Sequence, residues 1–187
     1  MITPTPVNEM IPLSSKKYIV SKTNKQGFIE YGNDYFVEVS GYTEAELIGQ
    51  PHSIIRHPDM PKLIFKMMWE RVLRGQSIFA VVKNLAKDGR YYWVITEFET
   101  QLDTVTNEII SITAFRKAAT EDILAEMGLL YKKLHDIEMV SGVEGSEKYF
   151  KGFLEEKGVT YDEYIDKLIG NSGMFKLFFK AMKKMFS

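Results

Sequence analysis

Between residues 77 and 117 three β-rich runs follow one another with only short turns between them. "SIFAVVKNLAK" (77–87) breaks at Lys87-Asp88-Gly89-Arg90, where Asp-Gly is a hairpin signal. "YYWVITEFETQL" (91–102) then alternates, with Tyr91, Trp93, Ile95 and Glu97 on one side and Tyr92, Val94, Thr96 and Phe98 on the other. "TVTN" makes the next turn and "EIISITAFRK" (108–117) is the last run. A meander of this kind is an antiparallel sheet, and one of its faces has to be buried. Upstream, "YIVSKT" (18–23), the turn "NKQG" and "FIEY" (28–31) read as a further hairpin.

Short helices separate the two groups of strands. Asn33 or Asp34 can cap one that Gly41 ends. Thr43 and Glu46 form a capping box for the next. Pro61 suits the first turn of a third, "PKLIFKMMWERVLRG", which Gly75 stops. The order β-β-α-α-α-β-β-β predicts an α+β fold, a five-stranded antiparallel sheet with its helices on one side.

From about residue 119 the period turns helical. One helix is expected over 119–139, ending near Ser141–Gly142, and a shorter one in "GSEKYFKGFLEEKG". Another opens on the capping box of Thr160 and Glu163. The chain of 187 residues divides into an N-terminal arm (1–17), a core domain (18–117) and a helical extension (118–187). No internal repeat and no low-complexity tract stands out.

Composition excludes several classes. The net charge of −1 offers no field for nucleic acid. The absence of cysteine removes disulfides, thiolate metal sites, cysteine nucleophiles and cysteinyl–flavin chemistry. No apolar run approaches the ~20 residues of a membrane span, and the N-terminus lacks the pattern of a secretory signal. A cytoplasmic protein is the expectation.

The chemistry concentrates in "HSIIRHPDMP" (52–61), which holds two of the three histidines, an arginine and an aspartate. Metal ligation is disfavoured: His52 and His57 are five apart on a segment broken by Pro58, without helical H-x-x-x-H geometry. No G-x-S-x-G elbow, G-x-G-x-x-G fingerprint or Walker loop occurs. His135, beside Lys132, Lys133 and Asp136, reads as solvated surface. Trp69, Asn84 and "YYW" (91–93) remain. An indole stacks on a flat aromatic ligand. A carboxamide presents one acceptor and two donors, which match a ring edge bearing adjacent C=O and N–H groups, as in an isoalloxazine. Arg56, with His52 and His57, could neutralise a pyrophosphate. Each has a plain alternative: Trp69 as core, Asn84 as a turn residue.

Taken together these stretches resemble one family. The strings N-D-x-F-x-x-x-S-G-Y (33–42), E-L-I-G-Q-P-H (46–52), R-H-P-D-M-P (56–61) and K-N-x-x-K-D-G-x-Y-Y-W (83–93) look like the PAS domain of the aerotaxis, Aer-type, energy sensors. The resemblance covers about residues 18–117. It implies a PAS fold, FAD held non-covalently in the cleft, and redox state reported to a chemoreceptor-type signalling partner. It places cofactor contacts at Asn33, His52, Arg56, Asp59, Phe65, Trp69 and Asn84, with His57 and Trp93 in the same motifs. Trp69 and Asn84 would address the ring, and Arg56 with His52 the ribityl–phosphate side. Receptors of this family continue into a membrane anchor, a HAMP segment and a signalling coiled coil, which this sequence does not show. Its layout is similar to the small PAS partners of split energy-taxis systems. Haem ligated by His52 or His57, and a cofactor-free PAS interaction module, are the alternatives. Turnover catalysis is not expected, since no nicotinamide or substrate motif accompanies the site. Reduction would be answered by rotation of the Asn84 amide and passed along the strands to the helix from 119.

In "SGMFKLFFKAMKKMFS" (172–187), Phe175, Phe178, Phe179, Met182, Met185 and Phe186 follow helical spacing with lysines largely elsewhere. This predicts a basic amphipathic helix that packs on its own protein, docks in a partner or dimer, or, less favoured, lies on an anionic membrane. The N-terminal arm and the C-terminal helices are the candidate dimer surfaces.

Overall fold

The computed structural model describes residues 4–170 together with 180 and 181. The strands are β1 (Ile19–Thr23), β2 (Ile29–Gly32), β3 (Ile78–Leu85), β4 (Tyr91–Leu102) and β5 (Ile109–Ala118). The helices are α1 (Asp34–Ser40), α2 (Glu44–Leu47), α3 (Lys62–Val72), α4 (Glu121–Lys157) and α5 (Tyr161–Leu168), with a 3-10 turn at His52–Ile55. The five strands pair antiparallel throughout, in the sheet order β2-β1-β5-β4-β3. The five-stranded α+β plan is therefore observed. The basic segment 172–187 lies outside the described residues, apart from Lys180 and Ala181.

Local chemistry explains the helix ends. Asn33 caps α1: its Oδ1 accepts from Phe36 N (3.1 Å) and from Val20 N (3.0 Å), while its Nδ2 donates to Tyr18 O (2.9 Å). One side chain thus starts α1 and ties it to β1. Both capping boxes form, Thr43 with Glu46 and Thr160 with Glu163. At Gly142 (φ 69°, ψ −176°) α4 is broken into two helices, where the sequence places the end of its first helix.

Strand parity sorts the sheet into two faces. Asn84 pairs with Tyr92, and Thr96 with Arg116, so these residues share a face with Val82, Ala114 and Ser21. That face turns toward α3 and the 3-10 turn. Trp93 has the opposite parity and stacks on Tyr131 of α4 (centroids 6.1 Å apart, planes at 28°).

The extension covers the β3 edge. An edge strand leaves unpaired backbone groups that invite pairing with other chains. From the extension, Tyr131 Oη donates to Val81 O (2.7 Å) and Tyr161 Oη to Phe79 O (2.8 Å), while Met60 of the core domain accepts from Lys83 N at its Sδ (3.3 Å). The N-terminal arm is likewise tied to its own β3–β4 hairpin, through Val7 N to Gly89 O, Tyr91 N to Glu9 O and Ile11 N to Tyr91 O.

The extension also holds α3 at both ends. Pro61 offers no side-chain cap. Instead the half-buried Glu138 of α4 accepts from Lys62 N (2.8 Å) and Leu63 N (2.9 Å). Ser146 Oγ, beyond the Gly142 break, donates to the same carboxylate (3.0 Å). An anion on free N–H groups at a helix start is stabilising. Lys66 pairs with Glu147, and at the far end Arg71 Nη1 meets both oxygens of Asp162 (2.9 and 2.8 Å). Glu138→Ala is expected to lower the unfolding free energy by about 1–2 kcal/mol, with Glu138→Gln closer to the parent. Urea denaturation checks this; equal midpoints for Ala and parent would contradict the cap.

Candidate functional site

A cleft lies between the inner sheet face, the 3-10 turn and α3. Its walls include His52, Arg56, Phe65, Trp69 and Asn84 from the residues singled out in the sequence, joined by Ser21, Gly27 and Arg116. The cavity measures about 150 Å³, several times what one ordered water requires.

Each wall has a local cause. Arg56 follows the 3-10 turn in extended backbone and forms an antiparallel bridge with Asn84 at the outer edge of β3. Its guanidinium lies over the Phe65 ring at 3.8 Å from the centroid. Its Nε is buried without a hydrogen-bond partner. Asn84 is 4% exposed, and its Nδ2 is also buried without a partner. Buried donors are nearly always satisfied, and one left over costs about 1–3 kcal/mol. These two donors face the cleft with their hydrogen-bonding capacity open to an acceptor there, whereas Tyr92 Oη and Thr96 Oγ1, also unpartnered, do not line it. Trp69, on the helix turn after Phe65, leans over Gly27 of the β1–β2 turn. Gly27 is at φ +85°, and a Cβ there would lie 3.0 Å from indole Cη2. Glycine therefore allows both the turn and the close approach of the ring.

At the back of the cleft sits Arg116, 2% exposed. Its Nη1 donates to Ser21 Oγ (2.9 Å) and Ala114 O (3.3 Å), and its Nη2 lies 2.8 Å from His52 Nε2. A guanidinium only donates, so His52 Nε2 accepts and the ring proton is on Nδ1. Burial, then the charges of Arg116 and Arg56, hold His52 well below the usual histidine range, so it is neutral at pH 7. Burial lowers the Arg116 pKa to about 10, which leaves it cationic at neutral pH.

Four of the sequence-predicted residues do not line this cleft. Asn33 is the cap of α1. His57 is buried behind it: its Nδ1 accepts from Asp59 N (3.1 Å) and its ring meets the Tyr91 ring edge-on. Asp59 pairs with Lys83 (2.9 Å). Trp93 faces the other side of the sheet. Asp59 and Trp93 line a separate hollow against α4, shared with Tyr131 and His135, so His135 is not simply solvated surface. Conversely, Arg116 and Ser21 escaped the sequence reading. The signal was available, because Arg116 has the parity of the apolar Ile112 and Ala114 in β5 and must point inward with them.

This fold and cleft define a PAS domain: residues 29–115 match the family model described as PAS fold. Among individual proteins, the chain is 37% identical over 147 residues to the aerotaxis receptor of Escherichia coli (strain K12), covering 79% of this chain and 28% of the receptor. The expected kinship with aerotaxis sensors is thus met. It is 31% identical over 75 residues to the nitrogen fixation regulatory protein of Klebsiella pneumoniae, 40% of this chain and 15% of that protein. The chain therefore spans less than a third of either relative. A solved light-oxygen-voltage domain, studied with a flavin analogue, superposes with a TM-score of 0.52 at 19% identity, over 62% of this chain and 85% of that one, which bears on the fold alone.

The buried His57 and the half-buried His52 predict a pH response. Unfolded histidine titrates near ~6.5. In the fold, burial and then Lys83 depress His57 to about 4, and His52 is also depressed. The unfolded chain therefore binds more protons below pH 6.5, and stability present above that pH is lost as pH falls toward 4. Each proton contributes a slope of up to about 1.4 kcal/mol per pH unit. The urea midpoint is expected to drop between pH 7 and pH 5, and less steeply in His57→Gln. A midpoint unchanged over that interval would contradict the neutral state of His57 and His52 in the fold.

Proposed function

We propose that the cleft binds FAD non-covalently and that the protein is a redox sensor, reporting the state of the flavin to a chemoreceptor-type partner from the cytoplasm. The observation that carries this is the pair of unpartnered buried donors, Asn84 Nδ2 and Arg56 Nε, beside the aromatic walls Phe65 and Trp69. The donor set suits a flavin. Asn84 would bond the polar edge of the ring, Trp69 would cover its face, and Arg56 would turn toward the anionic phosphates. A bound flavin supplies a ring that can be reduced and reoxidised. The chain's own residues orient it, keep water from it and change their contacts with it. The relatives named for aerotaxis and for nitrogen-fixation regulation support a signalling role. Among the described residues no helix is long and apolar enough to cross a membrane.

The same geometry suggests how the state leaves the site. Phe65 and Trp69 belong to α3, whose ends are held by Glu138 and Asp162 of the extension. A shift of α3 against the ring would therefore move the extension directly, alongside the route through the strands. A haem ligated by His52 is less well supported, because His52 Nε2 is engaged by Arg116 and Ser21. The protein is read as a sensor without turnover, because nothing in the sequence marks a second-substrate site.

Purified protein is expected to be yellow. Trp69→Ala and Asn84→Leu should each lose flavin affinity by tenfold or more, since base or ring stacking on an aromatic side chain contributes about 1–3 kcal/mol and tenfold is about 1.4 kcal/mol. Flavin absorbance per chain, with circular dichroism as a folding control, checks this. Full occupancy in both variants would refute the assignment of the walls. Hydrogen exchange in residues 62–72 and 134–147 is expected to change together on reduction. Glu138→Ala should weaken the change in 134–147 while preserving it in α3; identical behaviour of parent and variant would remove Glu138 from the route.

A further inference from the structure

Two residues of the family motifs, Asp59 and Trp93, take no part in the cleft and meet instead at the reverse of the sheet. With Lys83 and Tyr91 they form one side of a half-open hollow, and Gly128, Tyr131, His135 and Asp136 of α4 form the other. Its volume is about 480 Å³, within the ~300–1,000 Å³ of small-molecule sites. Gly128 keeps this space open. A glycine inside a helix lowers stability relative to alanine, and nothing local calls for one here. Its φ is not positive, and a Cβ on it would meet no atom within 4 Å. The charged lining is balanced. Lys83 Nζ meets Asp59 (2.9 Å) and lies 4.5 Å from the centre of the Tyr91 ring, while Lys132 Nζ meets Asp136 (2.6 Å). His135, which neither pair uses, is near enough to both carboxylates to act on them electrostatically. Both carboxylates are more than half exposed. Ion pairs of that kind contribute little and exchange partners readily.

We propose that this hollow is a second binding site, for an aromatic α-amino acid. Such a ligand carries one charge of each sign and no net charge, as the two ion pairs of the lining do. Its ammonium group replaces a lysine at Asp136 or Asp59. The lysine so released, together with His135, takes the carboxylate. The side-chain ring packs over Gly128 against Trp93 and Tyr91, whose flat faces suit an aromatic partner. A phosphorylated ligand fits less well, because both lysines are already neutralised by carboxylates. The hollow joins the core domain to α4, so its occupant clamps the extension to the sheet. It lies on the opposite face from the cleft, and its test does not depend on what the cleft holds.

The test is calorimetric titration of the full chain, as purified, with L-phenylalanine, and with phenethylamine and hydrocinnamate, which each lack one of its two charges. L-phenylalanine is expected to bind once per chain with millimolar affinity or tighter. It is also expected to raise the thermal midpoint, because an occupant of the folded state alone stabilises that state. Each analogue is expected to bind about tenfold more weakly, or worse. Gly128→Leu is expected to abolish binding with a thermal midpoint at or above that of the parent, since leucine fills the hollow and is the better helix former. Lys132→Gln is expected to weaken L-phenylalanine by about tenfold without weakening phenethylamine, a split that a general loss of structure does not produce. Absence of binding in the parent overturns the proposal, as do equal affinities for the three compounds or parent-like binding by Gly128→Leu. If Gly128→Leu fails to fold, Lys132→Gln decides: parent-like affinity for L-phenylalanine overturns the pairing of the carboxylate and the site with it.

Discussion

The backbone bridge between Arg56 and Asn84 is the junction on which the site depends. It fastens the proline-stiffened polar segment to the outer edge of β3, so that a guanidinium from a loop and a carboxamide from a strand meet one cleft. Neither could be held there by its own element alone. A loop arginine would take its charge to water, and an edge-strand asparagine would be free to pair elsewhere. The bridge removes both options, and the bonds left unmade at Nε and Nδ2 are the clearest sign that the cleft is built for something else.

The same edge explains the extension. β3 carries outward carbonyls at Phe79 and Val81, and tyrosines from α5 and α4 satisfy them. Once those helices are seated, Glu138 reaches the bare start of α3 and Asp162 reaches its end. Covering an exposed strand thus brings the C-terminal helices into contact with the helix that carries Trp69. An element required for the integrity of the sheet becomes one that can report on the cleft.

Much of the fold was legible because its signals are local. The β4 alternation, the Asp-Gly hairpin, the cap at Asn33 and the boxes at Thr43 and Thr160 depend on residues within a few positions of one another, and so does the helix break at Gly142. Five of the nine residues named from the motifs, His52, Arg56, Phe65, Trp69 and Asn84, line one cleft, because those motifs carry the resemblance to aerotaxis sensors. What was not legible is long-range. Nothing near Pro61 announces that its helix will be capped by a glutamate 76 residues away. Motif membership does not tell which face of the sheet a side chain takes. Trp93 lies in the same string as Asn84, but the register Asn84↔Tyr92 sends it to the other face. Arg116 shows the reverse case. It lies in none of the family motifs noted above, yet alternation along β5 aims it at the cleft.

The central claim is that the cleft is completed by a reducible flat ring. The most direct measurement is to purify the full chain from cells without added cofactor, release any bound small molecule by heat, and identify it by mass against the protein concentration. Release of FAD in equimolar amount is the predicted result. A well-folded preparation that releases a porphyrin, or nothing at all, and that takes up no added FAD, would contradict the account.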